Sequence, residues 1–144
     1  MHGDDSLGFL LVTAARLLRG RMESALQMAD LNVTTSEART LTMAQRLGAV
    51  RQTELAASLG IEPMSLVSHL DRLEKAGLIR RVPDPSDRRS KLVRLTREAQ
   101  PQLKQIRQVL DGARGAAMQD FSSAELANFQ SYLQRLCHDL MSDA

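Results

Sequence analysis

The stretch Asp84-Pro85-Ser86-Asp87-Arg88-Arg89-Ser90-Lys91-Leu92-Val93-Arg94-Leu95-Thr96 constrains the fold of this chain more than any other. Aspartate, proline and serine favour a tight turn, because proline presets φ and the acidic side chains bond their own backbone. Apolar and polar residues then alternate with a period of two, the pattern of a strand with one face on a core. The spacing predicts a β-hairpin with arms at Leu78–Val82 and Lys91–Leu95 and a positively charged tip. Thr96 is expected to cap and start the helix that follows. Paired arginines at a hairpin tip suit insertion into an anionic groove better than burial.

Helical periodicity surrounds the hairpin. Leu7, Leu10, Leu11, Leu18, Met22 and Leu26 recur at helical spacing, so residues 7–29 read as a long amphipathic helix. Thr34 with Glu37 makes a capping box for a second helix ending near Arg46. Ala49-Val50-Arg51 is short and β-capable. Thr53–Leu59 reads as a brief helix capped by Thr53 and stopped by Gly60, and Pro63 sits where a first helical residue tolerates proline. The helix from Pro63 to about Ala76 is closed by Gly77. Beyond the hairpin, Leu103, Ile106 and Leu110 step along one long helix. Ser122 with Glu125 opens another, carrying Leu126, Phe129, Leu133, Leu136 and Leu140. Seams of this kind favour pairing of long helices, here with a second copy of the chain. Gly112 and Gly115 interrupt the first of them, which predicts a kink or a close helix approach.

Charge is concentrated where the hairpin lies. Residues 78–97 carry 7 Lys/Arg against 2 Asp/Glu, within a chain whose net charge is only +2. Such a patch points to a focused anionic partner. Aromatic residues make up 3% of the chain, too few for a base-stacking platform of the kind that binds single strands. One cysteine, a polar start at Met1–Ser6 and no long apolar run predict a cytoplasmic protein without disulfides or a membrane anchor. His2, His69, His138 and Cys137 have no metal-ligand spacing, so no metal is expected. No nucleophile–base pattern or phosphate-binding glycine loop appears, and no catalytic residue is assigned.

Two helices joined at Gly60 place the second across the first, the geometry that lets it enter a major groove. At 100° per residue, Leu66, Leu70 and Leu73 form the buried stripe of that second helix, while Met64, Ser68, Asp71 and Lys75 point away and Ser65 and Arg72 flank. Ser65 and Ser68 are expected to face bases, Met64 a thymine methyl, and Arg72 the DNA backbone or a neighbouring acid. His69 falls nearer the stripe. Its expected state is partly buried and hydrogen-bonded, with a base or phosphate contact as the alternative. Gln52 and Thr53 should lie near the DNA backbone.

Residues 52–96 resemble the winged helix–turn–helix of the MarR family of bacterial transcription regulators. Gln52-Thr53-Glu54-Leu55-Ala56, Leu59-Gly60-Ile61, Ser65 through Glu74, Gly77-Leu78-Ile79, Arg81 and the Asp84–Thr96 wing carry the resemblance. It implies a mainly α fold with a small β-hairpin wing, spanning residues 1–144 as one domain. Residues 34–96 would form the reading region, and residues 7–29 and 97–141 the dimerisation helices. It further implies a homodimer on double-stranded DNA, its recognition helices about one helical turn (~34–36 Å) apart, with the wings in flanking minor grooves. Within the wing, Asp87 would pair with an arginine to hold the loop, and Arg88 or Arg89 would enter the groove. Regulators of this kind release DNA when a small aromatic or anionic effector binds, or when a cysteine oxidises. Cys137, beside the last apolar seam, is expected to be buried packing, with a redox sensor as the sharper alternative. A winged-helix protein-interaction module is the other competing reading, and the retained Arg88, Arg89, Lys91 and Arg94 speak against it.

Overall fold

The computed structural model describes residues 6–143, so the polar start Met1–Asp5 and His2 lie outside the described residues. In chain order the elements are α1 (Leu7–Met28), α2 (Thr35–Leu47), β1 (Val50–Arg51), α3 (Gln52–Leu59), α4 (Pro63–Lys75), β2 (Ile79–Asp84), β3 (Asp87–Leu95), α5 (Ala99–Ala117) and α6 (Ser123–Ser142). The three strands form one antiparallel sheet in the order β1-β3-β2.

Local chemistry explains most boundaries. Both capping boxes close fully: the Thr34 hydroxyl accepts from Glu37 N and Glu37 accepts from Thr34 N, and Ser122 and Glu125 do the same. Gly60 and Gly77, at φ of 66° and 77°, end α3 and α4 in the left-handed region that a side chain resists. Each glycine is followed by a backbone bond reaching back over the last helical turn, Ile61 N to Ala56 O and Leu78 N to Leu73 O. Those two turns set the angle between α3 and α4 and the departure of β2.

Three expectations are corrected here. Thr53 is not a cap: α3 begins at Gln52, Arg51 occupies the cap position, and no side chain bonds there. Pairing of Val50 and Arg51 with Val93 and Leu92 carries the strand directly into the helix. Thr96 is not a cap either. Its hydroxyl donates to Gly77 O at 2.6 Å, drawn to a carbonyl at the end of α4, and α5 starts at Ala99. Pro101, which has no N–H to donate, then falls in the first turn of α5, where none is required. Finally, α5 runs through Gly112 and Gly115, and a methyl group at either position would meet open space within this chain.

The core is a single apolar cluster in which Leu41, Leu55, Leu66, Leu70, Leu73, Ile79, Val93 and Ile106 are almost fully buried. Helix α2 lies at its centre, touching α1, α3, α4, α5 and β3. Helix α6 stands apart and buries none of its residues, although it carries Phe129, Leu133, Leu136 and Leu140. Cys137 is consequently exposed, contrary to the expectation of a packed thiol. No helix among the described residues is long and apolar enough to cross a membrane.

Candidate nucleic-acid interface

Helix α4 buries Leu66, Leu70 and Leu73 and turns its opposite face outward. Met64 is 81% exposed, and Ser65, Ser68, Asp71 and Arg72 are exposed beside it. Glu62 caps the helix without a side-chain bond, and Ser65 N and Leu66 N both turn back to Glu62 O. Ser68 spends its proton internally, donating to Ser65 O at 3.1 Å, so its oxygen faces solvent as an acceptor. Gln52 is half-buried and Thr53 exposed at the start of α3.

Arg72 meets a neighbouring acid. Its Nε donates to Glu37 Oε1 at 2.7 Å, while the other oxygen of Glu37 caps α2. One carboxylate therefore fastens the recognition helix to the start of α2. His69 sits half-buried next to this pair, and its Nδ1 is buried without a hydrogen-bond partner. The hydrogen bond expected of His69 is absent. Burial, reinforced by the Arg72 charge and opposed by Glu37, pushes its pKa below the ordinary histidine value and keeps the ring neutral.

The wing is held differently from the expectation. Asp87 has no arginine partner among the described residues; it accepts from Arg89 N at 3.0 Å and Ser90 Oγ at 3.2 Å, fixing its own strand. The Asp–Arg pair belongs to Asp84, which is buried and accepts Arg51 Nε at 2.7 Å and Ser86 N at 2.8 Å. A turn residue bonding two positions ahead ties up its carboxylate in local geometry. Asp87 does so, and Asp84, beside a register shift at Pro83/Asp84, reaches β1 as well. Those bonds, the one from Ser86 N foremost and the Arg51 guanidinium next, hold the Asp84 carboxyl below the usual carboxylate range.

Arg88 and Arg89 are exposed and form no ion pair among the described residues. The base of the wing is anchored by Arg81, whose guanidinium meets Asp71 at 2.6 Å and Glu74 at 3.0 Å and whose backbone N donates to Glu74. The Arg81 guanidinium in turn draws Glu74 below its ordinary pKa.

Sequence reasoning passed over four residues of this site. Glu37, Arg51 and Asp84 make contacts 33 to 35 positions apart that periodicity does not encode. Arg80 stands directly across from Arg94 on the hairpin, both exposed. Like charges facing one another across a ladder repel, and an anion between them would relieve that. The strand alternation, had the register been known, would have revealed this rung.

The sequence model of the MarR family matches residues 33–91, the span from α2 to β3 just described. Among solved structures, CouR from Rhodococcus jostii RHA1, determined bound to p-coumaroyl-CoA, is 30% identical, with 92% of each chain covered and a TM-score of 0.69. The chain belongs to the MarR family. A MarR-family transcriptional regulator from Rhodococcus sp. RHA1 is 27% identical over 92% of each chain, at a TM-score of 0.75. A mutant MarR from E. coli complexed with operator DNA shares the fold at a TM-score of 0.68 and 23% identity, over 90% of this chain and 92% of that one. Within the MarR family the elements described here are a winged helix–turn–helix, α3 and α4 with the β2–β3 wing, flanked by long helices.

Proposed function

We propose that this chain is a ligand-responsive repressor that binds a pseudo-palindromic operator as a homodimer. The observation that carries this reading is the pairing of an uncovered polar face on α4 with a wing tip whose Arg88 and Arg89 lack carboxylate partners among the described residues. Helix α4 enters the major groove with Ser65, Ser68 and Met64 toward base edges. Gln52, Thr53 and Arg72 lie along the backbone, and His69, neutral and half-buried, supports the helix from behind. The wing enters the minor groove, where a narrow A·T-rich segment attracts guanidinium through its enhanced negative potential.

The dimer is supported by apolar side chains with nothing to cover them. Leu7, Phe9, Leu10 and Val12 on α1 and Tyr132, Leu136, Leu140 and Met141 on α6 are all exposed. Contiguous apolar surface of this kind marks an interface. A cleft of about 630 Å³ between α1, α2 and the end of α3 supports effector binding, and CouR, determined with p-coumaroyl-CoA, belongs to the same fold. Helix α2 walls the cleft and is fastened to α4 through Glu37 and Arg72, which gives an occupant a mechanical route to the recognition helix.

Footprinting on the DNA flanking the chain's own gene, with and without aromatic carboxylates, tests this directly. A protected palindrome that is lost on adding ligand is the expected result. Absence of any protected site at low salt would overturn it.

A further inference from the structure

Two clefts meet along α2, and their chemistry differs. The larger, about 630 Å³, is walled chiefly by apolar side chains such as Leu18, Met22 and Leu26, with Arg19, Glu23 and Arg39 among them. The smaller, about 320 Å³, lies between α2 and α5 and is lined by Gln45, Arg107, Asp111 and Arg114. Thr42, Arg46 and Leu110 line both, so the two form one composite groove with Arg46 in the shared wall.

The groove has more cationic groups than its own carboxylates satisfy. Glu23 meets Arg39 loosely, at 3.8 Å, and Asp111 pairs with Arg114. Arg107 donates only to the neutral Gln45, at 3.1 Å, and Arg19 and Arg46 have no carboxylate partner among the described residues. A simple aromatic acid would fill a fraction of the larger cleft and engage one guanidinium. Phosphate groups, by contrast, accept several forked bonds and match a row of arginines. We propose that the composite groove takes an apolar acyl group carried on a phosphorylated handle. The acyl group lies against Leu18, Met22 and Leu26, and the phosphates reach past Arg46 to Arg107 and Arg114. This rests on the reading of the chain as an effector-responsive DNA binder and names the class of effector.

Calorimetric titration of the full chain with benzoate, inorganic pyrophosphate and benzoyl coenzyme A, beside operator binding by anisotropy, tests the assignment. Benzoyl coenzyme A is expected to bind about tenfold or more tighter than either fragment and to release operator DNA. The Arg107→Gln/Arg114→Gln double variant should lose about tenfold or more of that affinity, while benzoate affinity, operator affinity and melting temperature stay at wild-type values. Equal binding of benzoate and benzoyl coenzyme A would overturn the proposal, as would wild-type affinity for benzoyl coenzyme A in the double variant. Pyrophosphate binding as tightly as benzoyl coenzyme A would overturn the acyl half. Failure of all three probes to bind, with operator binding intact, would overturn the effector class and leave the DNA-reading function standing. Failure of the wild-type chain to bind operator DNA would instead overturn the function itself.

Discussion

Replacing Arg88 or Arg89 by alanine removes a guanidinium with no carboxylate partner among the described residues, so the fold loses little and the DNA contact loses most. Each variant is expected to weaken operator binding by about 1–3 kcal/mol with an unchanged melting temperature; wild-type affinity in both, by anisotropy at fixed salt, would remove the wing assignment. His69 affects stability rather than DNA contact. Its folded pKa lies below that of the unfolded chain, so the stabilisation is complete above the ordinary histidine value, about 6.5, and is lost as pH falls through the folded value. Melting temperature should therefore fall between about pH 7.5 and about pH 5.5, and His69→Gln should flatten that slope. A slope identical in both proteins would show that the ring does not titrate as its burial beside Arg72 and Glu37 requires. Asp84 acts at a lower pH. Its depressed carboxyl contributes stability that is present above the ordinary aspartate range and is lost as pH falls through the folded value.

Helix α4 is positioned by its neighbours as much as by its own stripe. Two residues in the same carboxylate-bearing turn do this: Thr34 and Glu37 cap α2, and Glu37 also holds Arg72. Glu37→Ala removes both functions and should cost about 1–2 kcal/mol from the lost cap. The pair with Arg72, which is 55% exposed, adds little to that because solvent screens it. Glu37→Gln retains the capping geometry while removing the charge. Its melting temperature should stay near wild type while operator affinity falls, since Arg72 is freed from its restraint; equal operator affinity would deny Glu37 a part in aiming α4. The capping boxes and the glycine stops were legible in the sequence because each is made within six residues. Arg72–Glu37 and Arg51–Asp84 were not, because they join elements whose relative placement only the packed core sets. The misplaced caps at Thr53 and Thr96 have the same origin. A strand pairing and a distant carbonyl claimed those positions in preference to the local cap.

At the scale of the molecule, the apolar seam of α6 has no counterpart in its own chain. Leu136→Glu combined with Leu140→Glu places charges on that seam without touching the core, since both leucines are exposed. Sedimentation should then report a monomer, and operator affinity should drop steeply because two half-sites no longer bind as a unit. A dimer that persists would shift the interface elsewhere. Operator binding of the wild-type chain should also weaken linearly in log affinity against log salt, by about 0.9 per phosphate contacted, as counterions are released.

The sequence by itself determined the order and kind of the elements, the helix–turn–helix, the hairpin with its basic tip and the apolar stripes of the long helices. Those follow from side-chain period, turn chemistry and charge, which act over a few residues. Tertiary structure alone decided which carboxylate holds the wing, which one restrains Arg72, that His69 is buried without a hydrogen bond, and that Cys137 is exposed. It also decided that arginines from three helices converge on one groove. Each of these depends on distances between residues far apart in the chain, and those distances exist only once Leu41, Leu55, Leu70 and Ile106 have closed the core.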